Sequence, residues 1–207
     1  MESSKISTCI ELLNSAKSDN EKLAALMLVP KLLNTGISAS SSQSKEEESH
    51  NSDSTISIPV KESLYKAIGF QFLRRILVSG LSSVESEQSS LTDEQLTLKA
   101  VGLSVLRCFT DCEVLTEDEV RELISVIESI LLLDAQVTER LASVDLTETG
   151  NQPDQWQGSH DQVIQLATEL LEELAKNMSS DTLDVYLMPS LYKIAMKQSK
   201  PGIAHSN

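Results

Sequence analysis

Apolar residues recur every three or four positions along most of the chain, the spacing that places them on one face of an α-helix. The first such segment covers residues 6–16, and a Leu/Ala-rich segment over residues 21–33 follows it. Because the second segment is apolar nearly all round, we expect its helix to be buried between neighbouring helices. Pro30 should bend that helix or end its first half, since proline removes a backbone hydrogen-bond donor.

Several helix starts are marked by a Ser or Thr that is followed three residues later by Glu or Gln. In such a capping box each side chain bonds the other residue's backbone N–H, so two otherwise unpaired donors are satisfied. The four pairs are Ser18/Glu21, Thr92/Gln95, Thr116/Glu119 and Ser159/Gln162. A further helix is predicted over residues 61–79, and the last begins near Asp181 and should bend at Pro189. No two-residue alternation persists, so the pattern predicts seven main helices and an all-α fold.

One segment differs in kind from the rest, because residues 38–58 are rich in Ser and acidic residues and have almost nothing to bury. Such a composition is typical of disorder. The predicted organisation has four parts: a first helical unit over 1–37, the disordered insertion over 38–58, a helical-repeat continuation of the same domain over 59–197, and a frayed tail over 198–207.

Helices without strands leave two architectures, a solenoid of stacked helices or a closed helical bundle. Broad apolar stripes favour the solenoid, because an inner helix of a stack touches neighbours on several sides. No repeat of fixed period is visible, so the bundle remains the alternative. Gly69 lies inside a predicted helix, where a glycine costs about 1 kcal/mol, and we attribute it to a tight helix crossing.

Composition and charge limit the possible partners. Hydrophobic residues make up 40% of the chain, but only three Phe, three Tyr and one Trp are present, so aliphatic side chains must do most of the packing. The formal net charge is -14, and between Asp111 and Glu148 eleven acidic residues are accompanied only by Arg121 and Arg140. Such a surface repels phosphate backbones and anionic lipids, which argues against nucleic acid and against direct membrane insertion. Basic protein partners remain open.

The sequence offers little for catalysis or for metal binding. Three Cys without framework spacing, and no apolar run that could be a secretory signal, predict a cytoplasmic protein with reduced thiols. His50, His160 and His205 fall in predicted loops or in the tail, and none lies on an apolar face near a cysteine. We therefore assign no catalytic residue, no metal ligand and no cofactor, and we do not expect an enzyme.

Charged residues beside apolar stripes are the candidates for a partner surface. Arg74 and Arg75 are the only adjacent arginines, and they could pair with the acidic region over residues 113–122 or display their charge to a partner. Glu122 and Glu128 flank the apolar stripe of a later helix, and we expect both to be exposed. Replacing both with Gln together should then change stability little.

Three stretches carry a family resemblance. They are KSDNEKLAALMLVPKLLNTG (17–36), YKAIGFQFLRRIL (65–77) and LKAVGLSVLRCFTDCEVL (98–115). In order and spacing they resemble the neurochondrin family, and the resemblance covers residues 6–116. It implies an armadillo-like, right-handed superhelix without catalytic activity, in a cytoplasmic protein found in neurites or dendrites. The family is longer than this chain, so we expect a fragment, a short isoform or an incomplete gene model.

The resemblance also implies partners, namely a kinase, receptor tails and trafficking proteins. Its members are associated with neurite outgrowth and restrain calcium/calmodulin-dependent kinase signalling. We therefore consider first an interaction scaffold whose curved helical surface binds a protein segment. The alternative is a closed helical module regulated through its insertion, where Ser44 precedes Glu46 and Glu47 and is a candidate phosphorylation site. An importin-like adaptor is a third possibility, but Trp156, in a predicted loop, is the one Trp of the chain.

Overall fold

The computed structural model describes residues 2–34, 58–81, 91–111, 114–143 and 154–198. Of the predicted insertion only residue 58 is described, and of the predicted tail only residue 198. Both therefore remain predictions.

Every described element is helical. The elements are α1 (Glu2–Ser15), α2 (Asp19–Leu26), α3 (Val29–Asn34), α4 (Ile58–Ile68), α5 (Phe70–Val78), α6 (Asp93–Arg107), α7 (Glu117–Ser143), α8 (Asp154–Asn177), α9 (Ser180–Thr182), a π-helical turn (Leu183–Leu187) and α10 (Met188–Gln198). The described part of the chain contains no strand, and the all-α prediction is confirmed.

The helices form two neighbouring rows. In one row α6 contacts α3 on one side and packs most extensively against α8 on the other. In the second row α1, α4, α5, α7 and α10 follow one another, and contacts of α5 with α6 and of α7 with α8 join the rows. Because each helix packs on near neighbours in the chain, the array is consistent with the predicted helical solenoid.

Two of the four predicted capping boxes are confirmed with both bonds, and a third, Ser18/Glu21, forms one bond of the two because the Glu21 carboxylate accepts from the Lys17 N–H instead. Thr92 Oγ1 accepts from the Gln95 N–H at 3.3 Å, and Gln95 Oε1 accepts from the Thr92 N–H at 3.0 Å. The same reciprocal pair of bonds joins Thr116 and Glu119 at the start of α7. Ser18 caps α2 through its hydroxyl oxygen. Local hydrogen bonding therefore fixes these helix starts, as the sequence indicated.

The segment predicted as one helix over residues 21–33 is two helices, because the chain turns at Met27 and Leu28. The Leu28 N–H donates to Ala25 O at 3.1 Å. Pro30 is therefore the second residue of α3, where its missing N–H removes no helical hydrogen bond. Met27 is 50% and Leu28 43% exposed, so the expectation of burial all round is wrong at this turn.

The helix predicted over residues 61–79 is likewise two helices, separated by Gly69. Its φ is +77°, in the left-handed region where a side chain is strained. A Cβ built at Gly69 would have no heavy atom within 4 Å, so the predicted tight crossing is wrong. A close approach occurs instead at Gly102 of α6, where a Cβ would lie 3.0 Å from Leu77 Cδ2.

The fourth capping prediction is wrong, because α8 begins at Asp154 and not at Ser159. The predicted loop over residues 145–158 is helical from Asp154 onward, and Trp156 lies in the helix. Ser159 and Gln162 are interior residues of α8. An acidic first residue suits the positive end of the helix dipole, which is a reason for α8 to start at Asp154.

The last predicted helix is interrupted near Pro189. Ser179 caps α9, and a π-helical turn follows before α10 begins. The Met188 N–H donates to Leu183 O, five residues back. The wider π turn directly before Pro189 accommodates a residue that has no donor and whose ring crowds the preceding turn.

Ile127 occupies the centre of α7. It is fully buried, as expected from the apolar stripe, and α7 packs against α5, α8 and α10. Val105 and Phe109 are fully buried in the same continuous core.

Truncating Ile127 to Ala should lower the free energy of unfolding by about 2–5 kcal/mol, because it removes buried methyl groups and leaves a cavity. Chemical denaturation monitored by circular dichroism measures this change. The matched control is Ser125→Ala, at an exposed position of the same helix. A loss below about 1 kcal/mol at Ile127 would contradict the packing described here.

Candidate interaction surface

An open groove runs along α6 between α3 and α8. Its first part is a cavity of about 270 Å³. A second cavity of about 340 Å³ adjoins it and shares Pro30 and Ser104 with it. Side chains that line the first part include Met27, Lys31, Ala100, Val101 and Gln162. The groove is therefore mainly apolar, with hydrogen-bonding groups among its lining side chains.

The far end of the groove is set by Arg107, which joins α6 to α8. Its Nη2 donates to Glu173 Oε1 at 2.9 Å, and its Nη1 pairs with Glu169. The bond to Glu173 raises the pKa of Arg107. Thr110 Oγ1 donates to Glu173 Oε2 at 3.0 Å, and Asn177 Nδ2 donates to Thr110 O at 2.7 Å. These bonds, of which those to Glu169 and Glu173 are charge-assisted, fix the position of α8 relative to α6.

The thiols in the described residues are poor nucleophiles. Cys108 lines the groove, and burial raises its pKa to about 11, while its Sγ donates to Ser104 O at 3.3 Å. Burial also raises the pKa of Cys9, which lies in the core. Both thiols are therefore protonated at neutral pH, the form that does not attack electrophiles. Cys112 lies outside the described residues.

His160 is buried, with 7% of its surface exposed, and lies within α8. The expectation of a solvated loop histidine is wrong because α8 starts earlier than predicted. His50 and His205 lie outside the described residues. Across the described ranges, no group of three or more His, Cys, Asp or Glu side chains is placed to hold a metal ion.

Lys99 is a buried lysine of α6. It is 0% exposed, and its Nζ donates to Leu77 O at 2.8 Å and to Ser79 O. Burial lowers the pKa of Lys99 from its ordinary 10.5 to about 8. The only sequence signal for this position was a lysine within a run of otherwise apolar residues in the middle of α6. Lys99 therefore satisfies carbonyl groups at the end of α5 rather than serving a partner.

The structure brings together only two of the four residues predicted as a partner surface. Arg74 Nε lies 2.9 Å from Glu122 Oε2, so the expected pairing of Arg74 with the acidic region is confirmed. Arg75 pairs instead with Asp19 of α2 at 3.2 Å. The fourth residue, Glu128, turns toward α10.

Glu128 was expected to be exposed, and that expectation is wrong. Only 14% of its side chain is exposed. Its carboxylate accepts from Lys193 Nζ at 3.0 Å and from the Ser190 hydroxyl. Ser190 and Lys193 of α10 thus bind the Glu128 carboxylate within the chain, which leaves it unavailable to a partner. Any partner role for Arg74, Arg75 or Glu122 stays a prediction, and Ser44 lies outside the described residues.

Within the described residues, no helix combines the length and apolar character needed to cross a bilayer. The family model described as Neurochondrin matches residues 1–152. The chain belongs to the neurochondrin family.

Two relatives in this family extend the comparison. "Neurochondrin" of Gallus gallus is 29% identical over 129 residues, which are 62% of this chain and 15% of that protein. "Neurochondrin homolog" of Drosophila melanogaster is 31% identical over 133 residues, which are 63% of this chain and 14% of that protein. The chain thus spans about one seventh of the length of the relatives that it matches. No solved structure matches this neurochondrin-family chain.

Replacing Lys99 with Met should change how stability depends on pH. Between about pH 8 and 10.5 the unfolded chain holds more protons at Lys99 than the folded chain, because burial lowers the pKa only in the fold. The free energy of unfolding contributed by Lys99 therefore rises with pH in this window, by up to about 1.4 kcal/mol per unit. Urea denaturation at about pH 7.5 and 9.5 should give a change of stability with pH that is more positive in the wild type than in Lys99→Met, because the buried thiols lower stability with rising pH equally in both. Lys66→Met, at an exposed lysine, should keep the pH dependence of the wild type.

Glu128→Gln should destabilise the chain more than Glu122→Gln. Glu128 is largely buried and accepts a charge-assisted bond, so its loss should cost about 1.5–3 kcal/mol. Glu122 is 42% exposed, and its ion pair should contribute less than about 1 kcal/mol. The two variants serve as each other's control in denaturant titrations. Equal, small effects would restore the original expectation of two exposed charges.

Proposed function

We propose that this chain is a non-enzymatic protein-interaction scaffold of neurochondrin type that binds a segment of another protein. The groove along α6 supports the proposal, because its open cavities of about 270 and 340 Å³ share part of their lining. A continuous groove on a stacked helical array suits an extended segment, whose backbone can bond the lining hydroxyl and amide groups while its side chains enter the cavities.

The lining indicates the chemistry of the bound segment. Near Met27, Ala100 and Val101 the groove accepts an apolar side chain. At the far end Arg107 is flanked by two carboxylates, Glu169 and Glu173, which leaves an excess of negative charge. A basic residue of the partner is complementary to that end, and the chain's net charge of -14 favours the approach of basic segments.

The family membership supports the finer part of the proposal. On that basis the partners are a kinase, receptor tails or trafficking proteins, and the role is in neurite outgrowth and in restraining calcium/calmodulin-dependent kinase signalling. The proposed location is the cytoplasm, including neurites or dendrites. An armadillo-like, right-handed superhelix is the proposed form of the array.

The alternative is regulation through the insertion, with Ser44 as the phosphorylation site. Phosphorylation there would add charge to an already acidic segment, which would strengthen a basic partner's attraction or repel an acidic one. The two proposals differ in which part of the chain a partner needs.

Ala100→Arg should weaken partner binding, because it places a long charged side chain in the groove. Binding is measured by quantitative affinity purification with the intact chain, the variant, and a deletion of residues 38–57. Proteins held by the groove should fall roughly tenfold or more with Ala100→Arg and stay unchanged in the deletion. The matched control is Thr168→Arg, at an exposed position of α8.

Partners that survive Ala100→Arg and are lost in the deletion would reject the groove and favour regulation through the insertion. Thermal unfolding of each variant must first match that of the wild type. Ala100 is half-buried at the groove wall. Ala100→Ser is a second control, because a side chain much shorter than Arg leaves the groove open and should keep binding.

A further inference from the structure

The outer face of α10 and the preceding π turn carries a contiguous apolar patch. Met188, Tyr192 and Met196 are spaced four residues apart and form one row along the helix. They are 56%, 66% and 52% exposed. Val185 and Leu191, at 60% and 39%, lie beside the row. We call these five residues the α10 patch.

The α10 patch is separate from the packing that holds α10 in place. The opposite side of the helix buries Leu187 and Ile194 against the rest of the array, and Ser190 and Lys193 bond Glu128 of α7 there. The patch therefore contributes little to the fold while exposing large side chains to water. Other exposed large apolar residues among the described ranges, such as Leu12 and Ile58, belong to other helices. A contiguous patch of this kind typically marks an interface.

Charges at the two ends of the patch indicate its occupant. Asp181 and Asp184 precede α10, whereas α10 itself has no acidic residue and carries Lys193 and Lys197. The patch is thus acidic at its amino end and basic at its carboxyl end. Two identical copies that meet antiparallel bring opposite charges together at both ends, whereas a parallel pair would bring like charges together.

We propose that the α10 patch binds the α10 patch of a second copy of this chain, with the two helices antiparallel about a two-fold axis. In the register that places Val185 opposite Met196 of the second copy, Asp184 lies opposite Lys197 of that copy. The row of Met188 and Tyr192 then packs as a ridge into the corresponding groove of the other helix. Met adapts to irregular gaps and Tyr supplies a large rigid contact, which suits both to this position.

The expected dimer is weak. Five partly exposed side chains from each copy make an interface at or below the lower end of the range of specific interfaces. Each copy also carries a net charge of -14, so long-range repulsion opposes the contact. Raising the salt concentration screens that repulsion and should strengthen association. The groove along α6 lies in the other row, so this inference stands or falls independently of the proposed partner binding.

Sedimentation velocity of the intact chain over a range of concentrations tests the dimer. We expect a reversible monomer–dimer equilibrium that Tyr192→Glu weakens roughly tenfold or more, because it places a charge at the centre of the apolar contact. Leu12→Glu is the matched control, since it puts the same charge on an exposed leucine of α1. A monomer at all concentrations, or a dimer that ignores Tyr192→Glu, would overturn the proposal.

A charge exchange tests the antiparallel register. Asp184→Lys and Lys197→Asp should each weaken the dimer, because each brings like charges together across the two-fold axis. The double variant should restore wild-type association, since it exchanges the two ends of the patch. Single variants without effect, or a double variant that stays weak, would reject this register. Circular dichroism confirms that all variants keep the helical content of the wild type.

Discussion

The buried amino group of Lys99 joins α6 to the end of α5, and the packing of the other helices depends on this junction. The end of α5 leaves carbonyl groups of Leu77 and Ser79 without helical partners, and the Lys99 Nζ binds both from within α6. A neutral amine has two N–H groups and can satisfy both acceptors, so the bonds do not require the charged form. Because α6 contacts α3, α5 and α8, a change in how α6 packs on α5 would displace helices in both rows.

The residues around this junction leave little room for another arrangement. Gly80 has φ +80°, and a Cβ there would lie 2.6 Å from the side chain of Gln95. The same Gln95 side chain closes the capping box of α6. The Gln95 side chain thus packs against the turn that ends α5 and also caps the start of α6. Lys99 binds the carbonyl groups at the end of α5. Further along α6, Arg107 sets the distance to α8 and thereby the width of the groove.

Local features of the sequence predicted the helices well, because caps and apolar stripes act between residues close in the chain. The capping pairs at Thr92 and Thr116 and the buried stripe around Ile127 are of this kind. The burial of Lys99 and Glu128 was not predictable, since their partners lie on other helices and a lysine or glutamate in a stripe usually points to solvent. The interruption at Gly69 was not predictable either, because the helical pattern of apolar residues continues through a residue whose φ is positive.

α1 and α10, the first and last helices of the second row as described, differ in the side chains that they expose to water. α1 buries Ile6, Cys9 and Leu13 on one face, and its opposite positions are mostly polar. α10 buries one face in the same way but leaves its second face apolar. In a stack each apolar face is stabilised only by the neighbour that covers it, so α10 has the character of an inner helix. Of these two helices it is therefore α10, and not α1, that leaves a row of large apolar side chains uncovered in the described array.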